Sequence, residues 1–268
     1  MIDKGRHPVL GVRIDAVDYE AAVERLIGAS LAGHRLAASA LAVHGVMTGY
    51  LDPTHRRRLN GLDLAVPDGQ PVRWALRWLH GIRLPDRVYG PELTLRLVER
   101  GTREGIAFYL YGSTPETLER LRGSLGNRFP GVRLAGMQPS RFRRLSASER
   151  NHTVEEILAS GAQLVLVGLG CPRQETWVFE YRDRLEMPLV AVGAAFDFIA
   201  GSVPQAPRWM QSWGLEWLFR LAHEPRRLWR RYLILNPLFL AGVFLEASRI
   251  KHVPVLEPDG AETFESFG

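Results

Sequence analysis

In the stretch LDLAVPDGQPVRWAL, Asp68 follows an apolar run and Pro67, and Gly69 frees the backbone before the next helical pattern. That order projects a carboxylate from the carboxyl-terminal edge of a strand, where open α/β sheets bind ligands. A carboxylate so placed can take a proton from an attacking hydroxyl, or it can cap the helix that starts near Gln70. Arg87, in DRVYGPEL, reads either as a clamp for an anionic substrate or as a surface charge.

Two further strand ends are suited to phosphate. In YLYGSTPETLERL an apolar run ends at Gly112, and Ser113 or Thr114 caps a helix with Pro115 in its first turn. In LVLVGLGCPRQETW, Gly168 and Gly170 precede Pro172, which opens another helix. Helix amino termini present free amides and a partial positive charge, which suits a diphosphate. Neither turn matches a dinucleotide fingerprint, because GLGCPR has arginine where the third glycine belongs. Arg173, Gln174 and Glu175 in the first turn of the second helix could hold a phosphate, sugar hydroxyls and a ribose. Cys171 has no neighbouring base in sequence and reads as a small, partly buried residue.

His44 ends another apolar run and is either a structural histidine or a substrate contact. Asp197, between two phenylalanines in AAFDFIAG, could bind a ribose or base, or cap a short helix. There is no Asp-x-Asp pair and the histidines are scattered, so no metal and no cofactor is expected. Any diphosphate leaving group must then be stabilised by arginines and helix dipoles.

The elements that carry these residues alternate. VLGVRI, RLAASALAV, LDLAV, GIAFYLYG, VRLAGM, AQLVLVGLG and MPLVAVGAAF read as strands, and their continuous apolar character is that of buried parallel strands. Amphipathic helices such as TPETLERLRGSLGNRF and SASERNHTVEEILAS lie between them. The expectation is an α/β fold: a Rossmann-like, mostly parallel sheet with helices on both faces. The strand signal stops near Pro204, and helical periodicity continues to about Ser248. This divides the chain into an α/β core (1–204), a C-terminal helical appendage (205–250) and a mobile tail (251–268).

At 268 residues with 46% apolar and 24% charged composition, the chain can bury a sizeable core and is not disordered overall. Its net charge of +5 is carried almost wholly by arginine, which permits nucleic acid, anionic lipid or a phosphorylated substrate as partner. One cysteine excludes an internal disulfide. The opening residues contain no apolar segment flanked by a cleavage site, so a signal peptide is not expected.

In the appendage, Trp209, Trp213 and Trp217 recur every four residues with Leu221 next, as on one helix face. Arg208, Arg220, Arg226, Arg227, Arg230 and Arg231 face only Glu216 and Glu224 in the same stretch. Tryptophan on one face with arginine nearby is the composition of a helix lying among lipid headgroups. The alternative is that the tryptophans are core and the arginines solvated. The apolar run between Arg231 and Glu246 is interrupted by Asn236 and Pro237 and falls short of the roughly 20 residues a bilayer span needs. Attachment at an anionic surface, worth about 1 kcal/mol per basic residue, is the expectation.

Taken in order and spacing, LDLAVPDGQPVRWAL, DRVYGPEL, FYLYGSTPETLERLRGSLGNRFPGVRLAG, VLVGLGCPRQETWV, VGAAFDFIAGSVPQAPRWMQSWGLEWLFRL and EPRRLWRRYLILNPLFL resemble the WecG/TagA/CpsF family of bacterial glycosyltransferases, over roughly residues 9–245. The resemblance implies a membrane-associated enzyme that moves a sugar from a UDP-sugar to a polyprenyl-diphosphate-linked acceptor, with inversion and without metal. It implies Asp68 as general base, and Arg87 and Gln174 as polar residues of the pocket. Arg226, Arg227, Arg230 and Arg231 fall in the appendage that docks on the membrane and closes over the site. It also implies a cytoplasmic protein, peripheral on the inner face of the plasma membrane. One departure stands out. Many members carry a Thr-x-Asn element at an early strand end, whereas Ala42 stands where the Asn would in SALAVHG, with His44 and Thr48 as possible substitutes. A non-catalytic, membrane-associated nucleotide-sugar-binding protein of an assembly complex is the second reading. Nucleic-acid binding has no motif to support it, and a homo-oligomer is left open.

Overall fold

The computed structural model describes residues 1–207, 209–210, 213–258 and 267–268. Arg208 and the side chain of Arg227, both in the expected basic cluster, lie outside the described residues.

A hairpin opens the chain: β1 (Asp3–Val9) pairs antiparallel with β2 (Val12–Val17). The run VLGVRI, expected as one strand, is therefore two strands joined by a turn at Leu10 and Gly11, both at positive φ (51° and 76°). Apolar content continues through the turn because Leu10 is itself buried, so composition gave no sign of the reversal.

Helix α1 (Tyr19–Ala32), capped by Asp18, leads to β3 (Leu36–Leu41), α2 (Val43–Leu51), α3 (Pro53–Asn60), β4 (Leu64–Pro67), α4 (Gln70–His80) and α5 (Gly90–Arg103). There follow β5 (Ala107–Gly112), α6 (Pro115–Arg128), β6 (Arg133–Gln138), α7 (Ala147–Ala159), β7 (Leu164–Gly168), α8 (Arg173–Tyr181), β8 (Pro188–Ala191) and the short α9 (Ala195–Ile199). Strands β3 to β8 form one sheet in the order β4-β3-β8-β7-β5-β6, with every pair parallel. The expected α/β architecture, a mostly parallel sheet with helices around it and helices at the C-terminus, is the one observed.

Side chains on these strands alternate between two apolar layers, as the period of two requires. Tyr109, Val165 and Leu189 point into one layer; Phe108, Leu166 and Val190 point into the other. Edge strand β4 is covered by the hairpin, and the buried Asp15 carboxylate accepts from Ala65 N at 2.7 Å.

Beyond the sheet come α10 (Glu216–His223), α11 (Pro225–Trp229), a π-helical turn (Arg230–Leu235) and α12 (Asn236–Ala247). The wide turn directly precedes Pro237, which can supply no amide to the turn before it. Helix α12 packs on the core: Phe239 and Val243 are fully buried in the first apolar layer. The Glu246 carboxylate accepts from Leu10 N at 3.0 Å. Residues 251–258, assigned from sequence to a mobile tail, run back along the core instead. Val253 is buried, and Asn60 Nδ2 donates to Leu256 O at 2.9 Å.

The four-residue tryptophan spacing does not translate into one helix. Trp213 and Gly214 form a turn, with Gly214 at φ 72°, and α10 begins only at Glu216. Trp217 lies on that helix and Trp213 lies before it.

Candidate active site

A cleft of ≈ 910 Å³ opens at the carboxyl ends of the parallel strands. Ala42 after β3, Asp68 after β4, Ser113 after β5, Gly170 after β7 and Gly193 after β8 all line it, and residues of α10 and the π-helical turn line its other side. Strand carboxyl ends converge here because each loop leads into a helix whose amino terminus faces the same crevice.

Asp68 does not cap α4. The N-cap is Gly69, whose φ of 110° is a backbone conformation that L side chains rarely adopt, and it makes no side-chain capping bond. The Asp68 carboxylate turns instead toward the amino terminus of α5, where it accepts from Gly90 N at 3.4 Å. Burial pushes its pKa up to about 6; the neighbouring Glu216 charge adds to the rise, while Arg87, the Gly90 amide and Arg220 act against it. A partly buried carboxyl with a pKa near 6 is a competent base at neutral pH.

Arg87 is buried beside it, stacked over the Tyr89 ring at 4.2 Å. Its Nη2 donates to Glu216 Oε2 at 2.5 Å, and Tyr89 OH donates to Glu216 Oε1 at 2.8 Å. Burial opposes the Arg87 charge, yet Glu216 and Asp68 hold its pKa above the ordinary value. Tyr89 N in turn donates to Tyr19 OH at 2.9 Å, so α1 also steadies this corner.

At the β7 end, Gln174 and Glu175 are buried and line the cleft. Gln174 Oε1 accepts from Gly170 N at 3.2 Å, and its Nε2 donates to Glu175 Oε1 at 2.8 Å. The same Glu175 oxygen accepts from Ser39 Oγ at 3.0 Å, which ties β3 to α8. Glu175 Oε2 has no hydrogen-bond partner among the described residues. Cys171 also lines the cleft; burial and then the Glu175 charge push its thiol well above its ordinary pKa, the opposite of what a thiolate nucleophile needs.

His44 lines the cleft beside Arg231. Burial, followed by the charges of Arg231 and His55, lowers its pKa to about 4, so the imidazole is neutral at physiological pH. Thr48, the other candidate to replace the missing Asn, donates its hydroxyl to His44 O at 2.8 Å and does not line the cleft. Ala42 does line it, at the N-cap of α2.

The cleft thus brings together Asp68, Arg87, His44, Ser113, Gln174, Glu175, Asp197, Arg230 and Arg231 from the sequence-derived set. Gly112, Arg173 and Arg226 stand outside it. Gly112 allows β5 and β7 to approach: at φ 105°, a Cβ there would meet the Gly168 backbone at 2.9 Å. Arg173 faces the Phe267 ring at 5.5 Å, and Arg226 is exposed. Sequence reasoning did not single out Tyr89 or the site roles of Glu216 and Arg220. Arg220 faces the Phe198 ring at 5.2 Å, and its buried Nε has no hydrogen-bond partner among the described residues.

Among the described residues, no group of three or more His, Cys, Asp and Glu side chains is arranged to hold a metal ion. No helix among them is long and apolar enough to cross a membrane.

Fold and cleft together define an α/β protein whose cleft joins a carboxylate of raised pKa to several arginines and helix amino termini. That combination suits group transfer from a phosphorylated donor. The model of the glycosyl transferase WecG/TagA/CpsF family matches residues 7–252, and the chain belongs to this family. Membership makes it a glycosyltransferase of cell-envelope glycan biosynthesis, with a nucleotide-sugar donor and a lipid-linked acceptor.

Proposed function

We propose that this enzyme transfers a sugar from a UDP-sugar to a polyprenyl-diphosphate-linked saccharide, with inversion and without a metal ion, in the assembly of exopolysaccharide or another envelope glycan. Asp68 is the general base. The acceptor hydroxyl attacks the anomeric carbon from the face opposite UDP and gives its proton to the Asp68 carboxylate. The bond from the anomeric carbon to the diphosphate oxygen breaks, and UDP leaves with the electron pair. A base in this position contributes about 10²–10⁴-fold. Arg220, Arg230 and Arg231 face the growing negative charge on UDP, where charge-assisted hydrogen bonds are strongest. His44, neutral and lining the same cleft as Ala42, is assigned to sugar contact in place of the missing Asn. Ser113, Gln174, Glu175 and Asp197 bound the donor side of the cleft.

The observation that carries this reading is the Asp68 carboxylate: it is not spent on capping α4, its pKa lies near 6, and it shares the cleft with the arginines. Membrane attachment is supported by exposed apolar side chains of the C-terminal segments, among them Trp213, Trp229, Leu233 and Phe244, lying close in sequence to Arg226, Arg230 and Arg231. Trp74 and Trp78 extend that surface onto α4, which packs against α12. The reading places the protein peripherally on the inner face of the plasma membrane.

Incubation with UDP-sugars and a lipid-diphosphate saccharide, with UDP release and the anomeric configuration of the product as readouts, tests the proposal. Inverted product formed in the presence of EDTA is expected. A retained linkage, or activity that EDTA abolishes, contradicts it. Donor binding without UDP release favours the non-catalytic reading, which Ala42 in the cleft keeps open.

A further inference from the structure

Glu216 is a buried carboxylate that the transfer chemistry does not use, and it sits within the charge field of the proposed base. It occupies the first turn of α10, yet both of its oxygens bond to the loop between α4 and α5, 127 and 129 positions earlier in the chain. That loop is the one whose end presents Gly90 N to Asp68. Two carboxylates, Asp68 and Glu216, therefore compete for the single guanidinium of Arg87. The hydrogen bond goes to Glu216 at 2.5 Å, and none runs from Arg87 to Asp68 among the described residues.

From this arrangement we infer that Glu216 is a positioning residue for transfer: by engaging Arg87 and Tyr89 it keeps Arg87 from closing an ion pair with Asp68, which leaves that carboxylate able to act as the base. An arginine bonded directly to a carboxylate holds it in its ionised, weakly basic form. Arg87 is thereby anchored to α10, and among the described residues the Asp68 carboxylate, which lines the cleft, keeps one long amide bond from Gly90 N. Without the Glu216 carboxylate, the guanidinium has only Asp68 to satisfy, and the base is held in an ion pair.

The inference rests on the reading of Asp68 as base. Among the described residues, the groups whose charges or hydroxyls act with Asp68 are Arg87 and Tyr89 on the α4–α5 loop, Tyr19 on α1, and Glu216 and Arg220 on α10. Of these, Arg87 already lowers the Asp68 pKa by its charge, while Glu216 raises it by its own charge and keeps Arg87 from adding a direct hydrogen bond that would lower it further. Replacing Glu216 by Gln removes that carboxylate's charge and weakens its hold on Arg87, so the Asp68 pKa must fall.

The test is the pH profile of kcat/KM for the full chain with UDP-sugar and lipid-diphosphate acceptor. In Glu216→Gln the acid limb is expected to move down by about one pH unit or more, with slower transfer at pH 7.5. Glu216→Asp, which keeps the charge, is expected to hold the limb near that of the wild type. The ¹³C shift of the Asp68 carboxyl, titrated in each protein, reads the same midpoint without needing activity. A limb and a carboxyl midpoint that stay in place in Glu216→Gln, whatever activity is left, overturn the inference, because a merely structural role lowers activity without moving either. Asp68→Asn separates the two claims. If that variant is inactive while the Glu216→Gln midpoint does not move, only the inference fails; if it turns over, the base assignment fails.

Discussion

Replacing Asp68 by Asn is expected to stabilise the protein at neutral pH. In the folded chain the carboxyl titrates at about 6 against an ordinary 3.8, so below about pH 4 it is protonated in both folded and unfolded states and has no effect. As pH rises through the window between those values, the unfolded chain gives up its proton first, the folded state binds more protons, and stability falls. Above pH 6 the loss is complete. At 1.36 kcal/mol for each pH unit of displacement it amounts to about 3 kcal/mol. Asparagine has nearly the same shape, can still accept from Gly90 N, and carries no charge to desolvate. Urea denaturation at pH 7.5 should therefore show Asp68→Asn more stable than wild type by about 1–3 kcal/mol, and the difference should vanish near pH 4. Equal stability at both pH values, or a variant less stable at pH 7.5, refutes the view that Asp68 is held in its ionised form at the expense of folding.

Phe239→Ala should destabilise the whole chain by about 3–5 kcal/mol in the same denaturation assay, because Phe239 is fully buried against the core; a change below about 1 kcal/mol would mean that α12 detaches independently. Trp74→Ser combined with Trp78→Ser should weaken binding to anionic liposomes roughly thirtyfold, each ring contributing on the order of 1 kcal/mol, while leaving transfer to a water-soluble acceptor unchanged; undiminished liposome binding would remove α4 from the membrane face. Arg220→Gln should lower kcat/KM for the UDP-sugar by about 10–100-fold, the value of one hydrogen bond to a charged group. A change of less than twofold would exclude that side chain from the diphosphate.

The parallel sheet was legible because β3, β5, β7 and β8 are buried on both faces and so read as unbroken apolar runs. The turn at Leu10 and Gly11 was not, since tertiary packing determines it: a Cβ on Gly11 would meet Pro254 O at 2.7 Å, a contact far away in sequence. The tryptophan period suggested one helix, but a period tests only which side chains would align if the backbone stayed helical, and Gly214 leaves it. Gly69 was visible as a break before α4, yet its φ of 110°, which leaves Asp68 outside the cap, was not. The Arg87–Glu216 pair joins residues 129 positions apart and leaves no local trace in a single sequence. Arg173 stands out in the sequence by its type in a helix first turn and Arg226 by its place in the basic appendage, and neither signal specifies which way a side chain faces.

The most direct measurement is the rate of UDP release by wild type and Asp68→Asn across pH, with the lipid-diphosphate acceptor present and donor binding measured in parallel. An acid limb near pH 6 in the wild type, with unchanged donor affinity and a rate reduced at least about 100-fold in the variant, is the predicted result. Release by Asp68→Asn within a few-fold of wild type would contradict the assignment of that carboxylate as the base.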